Sequence, residues 1–220
     1  MTTTIRVAIV DDDQIVRSAL SAYLATAPEI EVVAYGQTGL DAVAAVREHP
    51  VDVLVMDIRM PELDGVAATA ECRQVSPGTR VLLLTSVDGD DMVRRGLAAG
   101  ASGYLTKDIP PSALVEGVRG IHAGTAVVSP QTLSQLARTG TQAPEAPPLL
   151  RELTEREQEI LALLCVGLSN AEIAGRIFLS ESTVKTHVSA IMTKLGAQSR
   201  LKAVVRAYEL GLVGTDGPRA

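Results

Sequence analysis

Aromatic residues make up only 2% of the 220 residues, with no Trp, one Phe and four Tyr. Proteins that read single-stranded nucleic acid usually stack bases on aromatic side chains, so this composition disfavours that function. Cysteine is also scarce, since Cys72 and Cys165 are the only two and lie far apart. A disulfide framework and a zinc site are therefore not expected.

Long hydrophobic runs are absent as well. No apolar segment approaches the roughly 18 residues that a membrane-spanning helix needs. Residues 1–10 contain no basic segment followed by a long apolar stretch, which is the pattern of a secretory signal. We therefore expect a cytoplasmic protein without a membrane partner.

Charge is distributed unevenly along a chain of otherwise ordinary globular composition. Residues 1–130 hold 10 basic and 17 acidic residues (net −7), whereas residues 131–220 hold 10 and 9 (net +1). Residues 169–206 are locally basic, with 6 basic and 2 acidic side chains. The contrast predicts two domains with different partners.

The first 123 residues alternate between short β-rich apolar runs and stretches of helical periodicity. Five repeats of strand and helix predict an α/β domain over residues 1–123, with a parallel sheet and helices on both faces. The predicted strands are 5–10, 30–35, 51–56, 80–84 and 102–105, and the predicted helices are 15–27, 39–49, 65–75, 88–99 and 112–122.

The remainder of the chain has a different pattern. Thr, Gly and Pro residues interrupt any regular element between residues 138 and 148, which predicts a linker region over 124–148. An all-α domain is predicted over 149–215. Capping residues and terminal glycines delimit its four helices, roughly 155–166, 170–177, 181–195 and 200–210, with N-caps at Thr154, Ser169, Ser180 and Ser199 and helix ends at Gly167, Gly196 and Gly211.

Polar residues follow the predicted strands of the first domain. The ends of four strands carry Asp11 to Asp13, Asp57, Thr85 with Ser86, and Lys107. Because the carboxyl ends of parallel strands meet at one edge, these side chains should lie together. Clustered carboxylates repel one another unless a cation joins them, and Mg²⁺ is the natural candidate. A carboxylate there can attack phosphorus while Mg²⁺ and Lys107 neutralise the phosphoryl oxygens, which yields an aspartyl phosphate.

Four motifs of this region occur in the order found in a known family. Val10-Asp11-Asp12, the run VLVMDIRMPELDG (53–65), Thr85 and the run GASGYLTK (100–107) resemble the receiver domain of two-component response regulators. The resemblance implies a flavodoxin-like (βα)5 fold. It also implies roles for the site residues: Asp57 as phosphoacceptor, Asp12 as direct Mg²⁺ ligand, Asp11 as outer-shell partner, the Arg59 carbonyl as third ligand, Thr85 and Tyr104 as switch pair, and Lys107 as phosphate-binding lysine.

The family often has Pro after this lysine, where Asp108 stands here. A non-proline cis peptide costs about 2.5 to 4 kcal/mol, so the sequence leaves open whether the Lys107–Asp108 peptide is cis.

The third predicted helix of the second domain has two distinct faces. Val184, Val188, Ile191 and Leu195 form an apolar stripe. The opposite face is polar, small or basic and free of acids, which suits a helix that enters the major groove of DNA. It consists of Ser182, Lys185, Thr186, Ser189 and Thr193. The short helix before it gives the spacing of a helix-turn-helix.

The runs LTERE (153–157), GLSNAEIA (167–174), SESTVKTHV (180–188) and KLG (194–196) resemble the LuxR-type four-helix DNA-binding domain, and the combination of the two domains resembles the NarL/FixJ class of response regulators. The resemblance implies that Lys185 and Thr186 face bases, with Ser182 and Ser189 at further contact positions. Candidate phosphate contacts are Asn170, Arg176, Thr183, Lys194 and Arg200. The last helix resembles a dimerisation helix, with Leu201, Val204, Val205 and Tyr208.

The expected function is that of a transcription regulator and not an enzyme. A sensor histidine kinase would phosphorylate Asp57, and a homodimer would then bind double-stranded DNA half-sites. Two alternatives stay open. One is a haloacid-dehalogenase-like phosphatase with Asp11 as nucleophile, and the other is a DNA-binding regulator that acts without phosphorylation.

Overall fold

The computed structural model describes residues 4–85, 90–128 and 153–213. The chain divides into two compact units, Met1–His122 and Ala123–Ala220. Within the described ranges, no helix combines the length and the apolar composition needed to cross a bilayer.

The first unit alternates strands and helices, as the sequence predicts. Its five strands form a parallel sheet in the order β2-β1-β3-β4-β5. The elements are β1 (Ile5–Val10), α1 (Gln14–Leu24), β2 (Ile30–Gly36), α2 (Gly39–Glu48), β3 (Val53–Asp57), α3 (Gly65–Val75), β4 (Arg80–Thr85), α4 (Asp90–Ala99), β5 (Gly103–Thr106) and α5 (Pro111–Ala123). A two-residue strand, β6 (Val127–Val128), follows α5 along the chain.

The central strands are apolar and lie in the core. All five residues of β3 are buried, and so are five of the six in β1. Continuous burial is expected when helices cover both faces of a parallel sheet. The strand order reverses direction between β1 and β3, and an open α/β sheet binds ligands outside the carboxyl ends of the strands at such a point.

Side-chain caps set several helix starts beside that edge. Asp13 accepts a hydrogen bond from the Ile15 N–H and caps α1, and Asp64 accepts one from the Ala67 N–H and caps α3. Thr38 and Asp41 form a capping box on α2 that the sequence reading missed. These caps fix where the chain leaves each strand end and turns into the next helix.

Over residues 153–213 the second unit is helical, which confirms the predicted class. Its helices are α6 (Glu155–Cys165), α7 (Asn170–Arg176), α8 (Glu181–Lys194) and α9 (Arg200–Glu209). All four predicted N-caps are present, and the three predicted glycines have positive φ angles: Thr154, Ser169, Ser180 and Ser199 cap the helices, and Gly167, Gly196 and Gly211 follow them. Most of the predicted linker, residues 129–148, lies outside the described residues, and β6 within 124–148 was not expected.

Candidate functional site

The predicted acidic site is assembled at the carboxyl edge of the sheet. Carboxylate oxygens of Asp11, Asp12 and Asp57 lie within 4.8 Å of one another. The Lys107 ammonium lies 2.6 Å from Asp11 Oδ2 and 3.2 Å from Asp57 Oδ2. Asp11 and Asp57 are buried, whereas Asp12 is exposed. The structure therefore brings together four of the residues that the sequence assigns to this site.

Strand register explains this convergence. Asp57 ends β3 beside β4, and the Ile58 N–H donates to the Leu84 carbonyl at 3.1 Å. The Lys107 N–H donates to the Thr85 carbonyl at 2.7 Å, which ties the end of β5 to the end of β4. Three separate strand ends thus deliver their polar side chains to one edge.

Burial and mutual charge interactions shift the pKa values of Asp57 and Lys107. Burial, with help from the Asp11 charge, raises the pKa of the Asp57 carboxyl even though Lys107 opposes the shift. Burial lowers the pKa of Lys107, but its contacts with Asp11 and Asp57 outweigh burial and raise it overall. Lys107 therefore remains an ammonium, and one cation serves two buried carboxylates.

The donor set fits a magnesium ion. All candidate ligand atoms are oxygens, which hard divalent cations prefer. Both Asp11 oxygens are already engaged: Oδ1 accepts from the Asp13 N–H at 3.0 Å and Oδ2 meets Lys107. Asp12 is exposed at the same edge, which suits a direct ligand with Asp11 outside it.

The two residues of the predicted switch pair are both buried. Thr85 ends β4 and is 5% exposed, and Tyr104 in β5 is 1% exposed. They stand on adjacent strands, since Leu83 pairs with Tyr104 and Thr85 with Thr106. None of the described peptide bonds is cis, so the Lys107–Asp108 peptide is trans. Arg59 lies in the loop after β3 with an exposed side chain, while Ser86 lies outside the described residues.

Two residues around the acids escaped the sequence reading. The Arg17 guanidinium donates to the Asp11 carbonyl at 2.5 Å and so anchors the turn after β1. Gly65 packs so closely that an added Cβ would collide with the Asp57 carbonyl oxygen. The sequence does not indicate the role of Arg17, because its partner is a backbone atom. Gly65 belongs to the quoted motif, but only the packing against Asp57 shows why a glycine is required there.

The predicted reading helix, α8, has the two faces expected of it. Val184, Val188, Ile191 and Leu195 are buried in the core of the second unit. Ser182, Lys185, Thr186, Ser189 and Thr193 are exposed. One acid adjoins this face after all, because the exposed Glu181 carboxylate lies 2.8 Å from the Lys185 ammonium. Exposed ion pairs between residues four apart on a helix contribute little to stability, so the pairing with Glu181 does not prevent the Lys185 ammonium from contacting DNA.

The five predicted phosphate contacts fall into two groups. Arg176 is exposed, and the half-buried Thr183 hydroxyl bonds to Ser180 at the start of α8. The others make contacts inside the unit. Lys194 pairs with Glu157 at 2.8 Å, and Arg200 donates to Asn170 Oδ1 at 2.9 Å and to the Leu168 carbonyl. Burial lowers the pKa of Arg200 to about 10.

The predicted dimerisation residues of α9 are largely covered. Leu201, Val204 and Val205 are buried, and Tyr208 is partly buried against the core of the second unit. These side chains do not form an open apolar face in this structure.

Comparison with known families defines the class of protein. Residues 7–119 match the response regulator receiver domain, and residues 151–207 match the LuxR family of bacterial regulatory proteins. The chain therefore belongs to the two-component response regulators that join a receiver domain to a LuxR-type DNA-binding domain, the NarL/FixJ class.

Individual relatives support this membership over nearly the whole chain. The response regulator protein VraR of Staphylococcus aureus is 40% identical over 210 residues, which cover 96% of this chain and 99% of VraR. The crystal structure of response regulator ChrA, of a haem-sensing two-component system, is 36% identical and covers 96% of this chain and 99% of ChrA, with a TM-score of 0.53. A structure of two RcsB dimers bound to two parallel DNAs is 20% identical, covers 96% of this chain and 100% of RcsB, and has a TM-score of 0.58, which shows likeness of fold alone.

Proposed function

We propose that Asp57 accepts a phosphoryl group from a partner histidine kinase and that this modification controls DNA binding by α8. The observation that carries the proposal is the placement of the Asp57 carboxylate beside the Lys107 ammonium and the Asp11–Asp12 pair. The same chain carries a helix with an exposed polar and basic face. One polypeptide thus contains both the proposed phosphorylation site and the proposed DNA-binding surface.

The residues around Asp57 have separate roles in this transfer. A carboxylate oxygen of Asp57 attacks phosphorus, the bond from phosphorus to the kinase's histidine nitrogen breaks, and its electron pair returns to the imidazole. Lys107 neutralises charge on the phosphoryl oxygens, and Thr85 donates its hydroxyl to the product phosphate. Mg²⁺, held by Asp12, Asp57 and the Arg59 carbonyl with Asp11 behind them, would supply further positive charge. Arg17 keeps the Asp11 turn in place.

The readout depends on a shift between two receiver states. A phosphoryl group on Asp57 stabilises the state in which Thr85 and Tyr104 have rearranged, and a population shift then changes the DNA-binding competence of the second domain. The domains run over 1–123 and 149–215, with the linker between them.

DNA reading would use the exposed side of α8. Lys185 can donate to guanine, and Ser182, Thr186 and Ser189 can meet several bases. The proposed active form is a cytoplasmic homodimer bound to two DNA half-sites, and the RcsB structure of the same fold contains DNA-bound dimers. In this role the chain turns over no substrate of its own.

The phosphatase alternative, with Asp11 as nucleophile, has less support. Both oxygens of Asp11 are occupied, by the Asp13 N–H and by Lys107. It also leaves the second domain without a task. The alternative of a regulator that acts without phosphorylation keeps both domains. It is distinguished from the proposed function by measuring the effect of phosphorylation on DNA affinity.

Labelling with a small phosphodonor tests the phosphoacceptor. The chain is incubated with acetyl phosphate and Mg²⁺, and the modified residue is mapped by peptide mass spectrometry. Asp57→Asn should abolish the label, whereas Asp108→Asn, which removes a neighbouring exposed acid, should retain it. Undiminished labelling of Asp57→Asn, or a label on Asp11, would refute the assignment.

DNA selected from a random pool tests the reading face. Lys185→Ala should weaken binding to the selected site by about 1 to 3 kcal/mol, the usual loss for a direct base contact. Lys202→Ala removes the same charge from α9 and serves as the control. Equal affinities of the two variants would remove Lys185 from the readout face.

A further inference from the structure

Three side chains, those of Arg156, Arg200 and Glu157, make polar contacts that join α6 and α9 to the ends of α7 and α8. Arg156 of α6 donates to the Ile177 carbonyl at the end of α7 at 2.7 Å. Arg200 of α9 donates to the Leu168 carbonyl and to Asn170 at the start of α7. Glu157 of α6 pairs with Lys194, the last residue of α8. The core contacts beneath these helices are apolar and non-directional, whereas these polar contacts fix particular atoms.

The contact at Glu157 is largely shielded from water. The Glu157 side chain is 6% exposed, and its Oε2 accepts from the Thr154 N–H at 2.7 Å, the Thr154 hydroxyl at 3.0 Å and the Lys194 ammonium at 2.8 Å. One carboxylate oxygen thus completes the capping box of α6 and holds the end of α8. The capping box alone needs only the Thr154 contacts, so the pairing with Lys194 is an additional function of this side chain.

The position of Lys194 makes the pairing relevant to DNA reading. The four side chains proposed to meet bases lie between Ser182 and Ser189, toward the start of α8, and Ser180 caps that start. Lys194 lies at the opposite end of the helix, beside the exposed Thr193. A helix anchored only by its apolar stripe can still rotate or slide slightly on the core. Fixing its last residue to α6 removes that freedom and sets the angle at which the reading face is presented.

We infer that Glu157 is a positioning residue for DNA recognition, and that Lys194 serves this internal contact instead of binding a DNA phosphate. The inference rests on the proposed reading role of α8 and revises the assignment of Lys194. It separates two properties of the protein. Affinity for any DNA depends on charge, whereas discrimination between sequences depends on helix orientation.

The double variant Glu157→Gln/Lys194→Met tests the inference in the full-length chain. It leaves the net charge unchanged and replaces both partners, so no unpaired charge stays buried. Binding is measured to the site that the wild type selects from random DNA and to unrelated DNA, over a series of salt concentrations and below the melting temperature of each variant. Glu155→Gln/Lys202→Met, which removes one acid and one base outside this contact, is the charge-matched control.

The expected result is a specificity ratio at least ten-fold lower than that of the wild type, with an unchanged salt dependence. The single variant Lys194→Arg keeps a cation that can reach Glu157 and should therefore retain most of the wild-type specificity ratio. If Lys194 contacted a phosphate, the slope of log affinity against log salt would decrease in magnitude by about 0.9, and this outcome would overturn the inference. A ratio within two-fold of the wild type would overturn it too. A wild type that discriminates between no DNA sequences would overturn the proposed function together with it.

Discussion

At the scale of single residues, Lys107 is shared between two acids. Its ammonium contacts both Asp11 and Asp57, and Asp12 stands nearby, so three carboxylates and one ammonium leave two formal negative charges at the edge of the sheet. Like charges this close destabilise the folded state unless a cation or a proton joins them. The site therefore favours binding of a cation, and the Lys107 ammonium offsets part of its negative charge.

Magnesium should accordingly stabilise the protein. At a free concentration about one hundred times its Kd, a single bound ion adds about 2.7 kcal/mol to the free energy of unfolding. Asp12→Asn should remove most of this gain, because the exposed Asp12 carboxylate is the ligand that no protein group engages in the described contacts. Thermal melts with and without Mg²⁺ measure it, and Asp108→Asn should respond like the wild type. An equal gain in Asp12→Asn would place the ion elsewhere.

The sequence predicts those site residues whose type and position along the chain are informative by themselves. Asp11, Asp12, Asp57 and Lys107 were predicted together because each follows a strand of one parallel sheet. Pairings between distant side chains were missed. Nothing in the spacing of Glu157 and Lys194 indicates that they meet, since their contact depends on how two helices pack.

At the scale of elements, the turn between β3 and α3 sets the position of Asp57. The Gly65 N–H donates to the Ile58 carbonyl at 2.9 Å, and the absence of a side chain at Gly65 lets α3 start directly against the Asp57 backbone. The helix cap at Asp64 completes the turn. Asp57, the proposed phosphoacceptor, is thus held by a close backbone contact that only glycine permits.

Gly65→Ala should therefore slow phosphorylation of Asp57 at least ten-fold and destabilise the domain by about 1 to 3 kcal/mol, the usual cost of overpacking. The added methyl group must displace the Asp57 carbonyl. Labelling rates with acetyl phosphate and denaturant titrations measure the two effects. Gly78→Ala is the matched control, because nothing lies within 4 Å of its Cβ position. Similar behaviour of the two variants would contradict the role of this turn.

The contact between α6 and α8 should show in the pH dependence of stability. Burial raises the pKa of Glu157, but the hydrogen bonds from Lys194 and Thr154 outweigh it and lower the pKa overall. A carboxyl whose pKa is lowered on folding stabilises the protein above its unfolded pKa, and the contribution is lost as the pH falls through the folded value. Glu157→Gln removes the carboxylate charge that faces the Lys194 ammonium and should lower the free energy of unfolding by about 1.5 to 3 kcal/mol at neutral pH.

Denaturant titrations between pH 3 and pH 7 check this expectation. The difference between wild type and Glu157→Gln should be full at pH 7 and should shrink below about pH 4.3, where an unperturbed glutamate takes up its proton. Glu155→Gln should show no such difference. A Glu157→Gln deficit that is constant with pH would mean that the carboxylate charge is not what stabilises the contact.

Element boundaries were predicted well where caps or glycines mark them. The start of α3 at Gly65 and the starts of α6, α7 and α8 match the predictions, because Asp64, Thr154, Ser169 and Ser180 are strong capping residues. α1 ends at Leu24, before the predicted Ala27, since apolar periodicity continues into the turn after it. β6 was missed because two residues are too few to give a pattern.

At the scale of the whole molecule, the chain places an acidic site and a DNA-reading helix in separate units with opposite charge character. The acidic first part suits Mg²⁺ and a phosphoryl group, and the locally basic second part suits DNA. Sequence composition predicts this division, since it sums over many residues. It cannot predict how phosphorylation in one unit alters the other, because that effect is a difference between two conformations.

The measurement that addresses this difference is the affinity of the full-length chain for its selected DNA site, with and without acetyl phosphate in the presence of Mg²⁺. We expect phosphodonor to tighten binding at least five-fold in the wild type, within the usual range of coupling between sites, and to leave Asp57→Asn unchanged. Equal affinities of the phosphorylated and unphosphorylated wild type, with labelling of Asp57 verified in the same sample, would contradict phosphorylation control and favour a regulator that acts without it.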